Sequence, residues 1–153
     1  MWAMHPVLER LTPLVGEWMV EASINGQIVA RSRTVSEWLE GGLFLVQRSY
    51  AEPPLPTTPA GWIENSPFPV TTITGLNDTD ESFTQLYADG RGVHRVYQMT
   101  FVGDTQMIWR AAPGFHQRFV ATVGLTTIAG RWEASEDGTT WTTDFDLTFT
   151  RAT

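Results

Sequence analysis

The chain has 153 residues, with 10 arginines, no lysine, no cysteine, 17 acidic residues and a formal net charge of −7. That length fits one domain over residues 1–153, with a core large enough to stand without covalent staples. The missing cysteines exclude disulfides, thiolate metal sites and a cysteine nucleophile. The missing lysines exclude Schiff-base chemistry, and the acidic balance disfavours a nucleic-acid partner, whose affinity rests on concentrated positive charge.

From the N-terminus, residues 1–15 carry neither a basic start before an apolar run nor a span-length apolar stretch, so the sequence reads as cytoplasmic, with no membrane association. Pro6 to Leu14 set Val7, Leu8, Leu11 and Leu14 along one stripe, which predicts a short amphipathic helix entered at Pro6 and limited by Pro13. Gly16 to Ala22 reads as a first strand. Asn25-Gly26 is a two-residue hairpin signal leading into a second strand, Ile28 to Leu39, and Gly41-Gly42 turns the chain back into Leu43 to Tyr50.

Between Glu52 and Pro69 lie six of the nine prolines, together with Trp62 and Phe68. Such a segment is expected neither to join a ladder nor to continue a helix. Long loops in small domains are commonly lids, and the two aromatics give this one something to pack with, so Trp62 and Phe68 are candidate lid residues. The N-terminal helix and this loop are expected to close the mouth together.

Five further strands follow, Val70 to Leu76, Phe83 to Ala88, Val93 to Val102, Thr105 to Ala111 and His116 to Val123, joined by turn-sized connectors. Ile128 to Arg151 completes the pattern as a hairpin about Asp137-Gly138. On its first strand Trp132 and Ala134 alternate with Arg131, Glu133 and Ser135. On its second, Trp141, Thr143, Phe145, Leu147 and Phe149 fall on the expected inner side. Some ten sequential antiparallel strands with short turns predict an all-β, closed up-and-down barrel, because closure removes the free edges.

Gly16-Glu17-Trp18, following a short helix, together with Arg151 near the end, resembles the start and the closing arginine of the calycins, the superfamily of lipocalins and fatty-acid-binding proteins. The runs LVGEW, EWLEGGLFL, RGVHRVY, APGFHQRF and WEASEDGTTWTTDFDLTFTR are similar to an uncharacterised bacterial lipocalin-like group. The resemblance implies a closed barrel in which Arg151 packs on Trp18 at one end, both in structural roles.

A barrel of this size encloses space, so functional side chains are sought on inward positions. Val93, Arg95, Tyr97, Met99 and Phe101 share one side of their strand, and an arginine among apolar neighbours is costly to bury without a partner. Tyr87, Trp109, Arg110, His116, Arg118 and Trp132 add phenol, indole, guanidinium and imidazole groups to the candidate ligand-binding set. For Arg110 and Arg118 an outward position paired with Glu133, Asp144 or Asp146 is equally open.

His5, His94 and His116 are too scattered for a local metal pair. Asp78, Asp80 and Ser82 resemble part of a calcium loop, but Phe83 stands where its glycine is required. Asn77-Asp78-Thr79 reads as a chance match to a glycosylation pattern in a turn. No nucleophile-elbow or phosphate-loop pattern is present, so no metal, no cofactor and no defined catalytic residue is expected. A haem barrel of the nitrobindin kind would by resemblance need a histidine near the chain's end, where Thr139 to Thr153 has none.

The expected function is binding of a small, largely apolar organic molecule with an anionic or carbonyl oxygen. A cofactor-free isomerase or cyclase acting on such a ligand, possibly in specialised metabolism, is the alternative, with haem binding behind it. The oligomeric state stays open.

Overall fold

Strands form wherever β-favouring residues run between turn residues: β1 (Gly16–Ile24), β2 (Gln27–Leu39), β3 (Phe44–Ala51), β4 (Val70–Asn77), β5 (Ser82–Asp89), β6 (His94–Val102), β7 (Thr105–Arg110), β8 (His116–Val123), β9 (Thr127–Ser135) and β10 (Thr142–Arg151). The computed structural model describes residues 5–152. Each strand pairs antiparallel with the next, and β1 pairs with β10, so the sheet is a closed up-and-down barrel. Closure sets Trp18 opposite Arg151, Val20 opposite Phe149 and Ala22 opposite Leu147. The Asn25-Gly26 turn has positive φ at both residues, 51° and 80°, as a two-residue hairpin matching strand twist requires.

The meander leaves two ends. At the lower one, a 3-10 helix, Pro6–Leu14, buries Leu8, Leu11 and Leu14 in the barrel. Pro13 lies inside it, and its ends are satisfied locally, Val7 N–H donating to His5 Nδ1 at 3.2 Å and Val15 N–H to Thr12 O at 3.0 Å. Arg10 donates to Gly103 O in the β6–β7 turn at 3.0 Å. Trp18 is 1% exposed, and its indole N–H donates to Leu14 O at 2.9 Å. The Arg151 guanidinium lies 4.1 Å from the Trp18 ring centroid and donates to the carbonyls of Val15, Pro13 and Leu125. Gly16 has φ +134°, and a Cβ there would collide with Arg151 Nη1. The glycine of the Gly-x-Trp start is thus explained by the arginine that lies across it.

Three expectations need correction. The N-terminal helix does not share the mouth with the Glu52–Pro69 loop: β3 runs from the lower end to the upper, so the loop after it covers the end opposite to the helix. That loop does contain a helix, α1 (Ala60–Glu64), because Pro59 sits at its N-cap and Pro67 beyond its end, so the prolines flank it and do not interrupt it. Finally, Trp141 and Thr143 do not join Phe145 on the inner side. The β9–β10 register slips between Thr143 and Phe145, so an extra residue, Asp144, reverses the alternation. The turn is also wider than a two-residue hairpin, with Asp137 accepting from the Thr139 and Thr140 amides at 2.8 Å each.

Candidate functional site

Above the N-terminal helix the barrel holds a cavity of about 620 Å³ floored by Leu14 and Trp18, within the range of small-molecule sites. Its two sides differ in chemistry. On β8 to β10 and β1 the inward residues are Phe119, Ile128, Trp132, Phe145, Leu147, Phe149, Val20 and Ala22. On β2 to β5 the middle of the wall is Ser32, Thr34, Gln47, Ser49, Thr72 and Gln85, with Ala30, Ala51, Val70 and Tyr87 above it toward the rim.

The polar side follows from how β2 and β3 divide their residues. Arg31, Arg33, Glu37 and Arg48 have long charged side chains that need water. They take the outer face, pairing as Arg31–Glu21 at 3.0 Å, Arg33–Glu17 at 3.0 Å and Arg48–Glu37 at 2.9 Å. The intervening small hydroxyls are thereby turned inward. Burial demands partners, and they find one another: Thr34 Oγ1 and Ser49 Oγ are 2.7 Å apart, Gln47 Nε2 donates to Ser36 Oγ at 3.0 Å, Thr72 Oγ1 to Gln47 Oε1 at 3.4 Å, and Gln85 Nε2 to Thr74 Oγ1 at 3.3 Å.

Between the two sides stand Arg95, Tyr97 and Gln117. Arg95 and Tyr97 are two apart on β6 and both face inward, as alternation predicts. Gln117 Oε1 accepts from Tyr97 OH at 2.9 Å and from Arg95 Nη1 at 3.3 Å. Arginine only donates, so the amide oxygen is fixed toward this pair and the amide nitrogen points away. Tyr97 meets Trp132 edge-on at 5.9 Å between centroids, and Trp132 packs on Phe119 at 5.2 Å.

Three arginines border the cavity, Arg31, Arg91 and Arg95, and the first keeps its guanidinium on the outer face. Arg31 pairs with Glu21 and Arg91 with Asp89, the latter at 2.7 Å. Among the described residues Arg95 has neutral partners only, namely Gln117, Tyr97 and the ring faces of Tyr87 and Phe115 at 6.0 and 5.9 Å.

At the upper rim, Tyr87 OH donates to Asp89 Oδ2 at 2.8 Å. Burial, that hydrogen bond and the Asp89 charge push the Tyr87 phenol well above its ordinary pKa. Burial alone would raise the Asp89 carboxyl. Donors from Arg91, Tyr87 and the Arg91 and Val93 amides overcome it and hold the group well below the usual carboxylate range. The loop closes over this rim: Thr57 Oγ1 donates to Ile28 O at 2.6 Å, Thr58 Oγ1 to Val29 O, and Gly90 N–H to Pro67 O at 2.7 Å. Trp62 meets Phe145 edge-on at 5.1 Å, and Trp62 and Phe68 both line the cavity.

Of the residues singled out in the sequence, Tyr87, Arg95, Tyr97, Trp132, Trp62 and Phe68 line this space, whereas Trp109, Arg110, His116 and Arg118 do not. Gln117 and Phe119 hold the inward positions of β8, so His116 and Arg118 point out. Arg118 pairs with Glu133 at 2.9 Å and lies 4.0 Å over the Trp141 ring, and the His116 ring lies beside Gly138. Trp109, in register with Arg118, is on the same outer face, since Ile108 faces in. Arg110 shares the inward parity of Gln106 and Ile108 but stands at the last position of β7, outside the lining. Sequence reading missed the whole polar side and Gln117. The available signal was β2, where small hydroxyls at 32, 34 and 36 alternate with charged or larger residues.

Among the described residues, no group of three or more His, Cys, Asp or Glu stands together to hold a metal ion, and no helix is long and apolar enough to cross a membrane.

Fold and cavity together define a closed ten-stranded antiparallel barrel with a two-sided internal site. No protein-family model and no curated protein matches the chain. Among solved structures, Rv2717c from M. tuberculosis is similar over 99% of this chain and 100% of that one, with a TM-score of 0.59 and 13% sequence identity. At that identity the likeness speaks for fold alone.

Proposed function

We propose that the protein binds a small, largely apolar organic anion, or a ligand with a carbonyl oxygen, in the barrel cavity. The observation that supports this is Arg95: a guanidinium against the Tyr87 and Phe115 rings, held by neutral groups and, among the described residues, matched by no carboxylate. A charge so placed is stabilised when an anionic or strongly accepting oxygen meets it. Native mass spectrometry of protein purified from its own host tests the proposal. A bound organic acid, lost in Arg95→Met, is expected; protein that emerges ligand-free and binds no organic anion in titration would end it.

We also read the chain as a calycin, because the stacked Trp18 and Arg151 and the glycine beneath the arginine are the features by which its sequence resembles that superfamily. Binding is preferred here over turnover as an isomerase or cyclase. Glu52, at the rim, is the carboxylate in the cavity lining, and a phenol raised as Tyr87 is serves as a hydrogen-bond donor and is a poor candidate for a general base. Haem ranks lower still. His94 is exposed and His116 points outward from β8, so neither is placed to ligate iron inside the barrel. Added haem is expected to give no sharp Soret band; a band abolished by His116→Ala would reverse this ranking.

A further inference from the structure

We infer that the ligand is an oxygen-rich aromatic anion and not an alkyl-chain acid, an inference that rests on the anion-binding reading above. Its basis is the contrast between the two sides of the cavity together with polar atoms that the protein leaves free. Gln117 gives its oxygen to Tyr97 and Arg95, so its Nε2 is without a protein partner among the described residues. Gln85 engages Thr74 through one amide atom, and Gln106 reaches only the Met99 sulfur, at 3.6 Å, so each keeps its other amide atom unengaged. Among the described residues no completely buried side-chain nitrogen or oxygen lacks a partner. The free amide atoms of these three glutamines, all of which line the cavity, therefore face its interior.

A ligand that fills the space must meet these groups or leave them dry, and a dry amide is costly. An alkyl chain presents the same apolar surface in every direction. Lying along Trp132, it would leave the free amide atoms of Gln85, Gln106 and Gln117 without partners. A flat aromatic system meets both sides: a ring face packs on Trp132 and Phe119, while oxygens on its edge exchange hydrogen bonds with the glutamines and hydroxyls. Its anionic group then meets Arg95.

The test is titration of the wild-type protein, followed by tryptophan fluorescence and calorimetry, with three probes: the dihydroxyanthraquinone carboxylate rhein, anthraquinone carboxylate without hydroxyls, and palmitate. Rhein is expected to bind at least about tenfold more tightly than palmitate, with the unhydroxylated acid between them, a tenfold step being one weak hydrogen bond's worth of affinity. Thr72→Val, which removes one wall hydroxyl at nearly constant shape, is expected to narrow the gap between rhein and the unhydroxylated acid. Palmitate binding as tightly as rhein overturns the aromatic inference and leaves anion binding standing. Failure of all three probes to bind overturns both. Equal affinity for the two anthraquinones shows that the polar wall does not read oxygens, and the inference falls on that result too.

Discussion

The two ends of the barrel solve opposite problems with the same kinds of residue. At the lower end a tryptophan and an arginine are stacked, each is committed to backbone carbonyls, and a helix plugs the remaining space with Leu8, Leu11 and Leu14. In the cavity an arginine and a tryptophan again share a neighbour, Tyr97, but Arg95 rests on one amide oxygen, one phenol and two ring faces, and Trp132 flanks open space. What separates the structural pair from the pair proposed for binding is how completely the donors are used within the protein. Arg151 donates to three carbonyls, leaving it little to offer a ligand, whereas Arg95 keeps donors in reserve.

That contrast makes graded predictions. Trp18→Ala should be the most damaging, costing about 3–5 kcal/mol in denaturant unfolding, since it opens a cavity beneath the plug and unseats Arg151; a midpoint close to wild type would show that the lower end is not the anchor. Arg151→Met should cost about 1–3 kcal/mol, because it orphans carbonyls that the stacked guanidinium satisfies. Arg95→Met should instead register in binding, weakening affinity for an organic anion by about 1–3 kcal/mol, with the smaller effect on melting temperature. A loss of stability as large as that of Trp18→Ala would mean that Arg95 is a core residue and not a site.

Two smaller effects concern the rim. The native Asp89 carboxyl is held below its unfolded value by its donors, so the stability it contributes is present in full above about pH 4 and is lost as pH falls toward the depressed native pKa. In Asp89→Asn this part of the acid sensitivity should vanish, which parallel melting curves near neutrality and at about pH 3 would reveal. Trp62→Ala should change stability by less than about 1 kcal/mol while speeding probe release, because the loop that carries Trp62 covers the mouth and contributes little to the core; unchanged release rates in stopped flow would remove the loop from any gating role.

Much of the barrel was legible because its strands follow a period of two and its turns carry glycine, asparagine and aspartate. Arg95 and Tyr97 were placed correctly by that counting alone. The alternation failed where a single extra residue enters: Asp144 reverses the sidedness of β10, and Trp141 goes outside to meet Arg118. It was also silent on β2, whose two faces are both polar by composition. The need of Arg31, Arg33 and Glu37 for water decides which face turns inward, a signal of side-chain length and charge that counting apolar residues does not weigh. The candidate set around β7 and β8 was drawn from nearness in sequence. Half of such residues on any strand point away from the interior, as Trp109, His116 and Arg118 do.

The seam between β1 and β10 bears on how the chain reaches this shape. Every other pairing joins strands consecutive in sequence, eight of them through short turns and β3–β4 across the Glu52–Pro69 loop, so these can form locally as the polypeptide lengthens. The first strand's outer edge must wait for β10, and the loop that this contact closes spans nearly the whole barrel. Such a contact is slow to reach, and until it forms two unpaired strands present open ladders to other chains. The interval of greatest hazard for this barrel is therefore the one before β10 is made, and a chain truncated before Thr142 should be lost to aggregation even though most of its hairpins are intact.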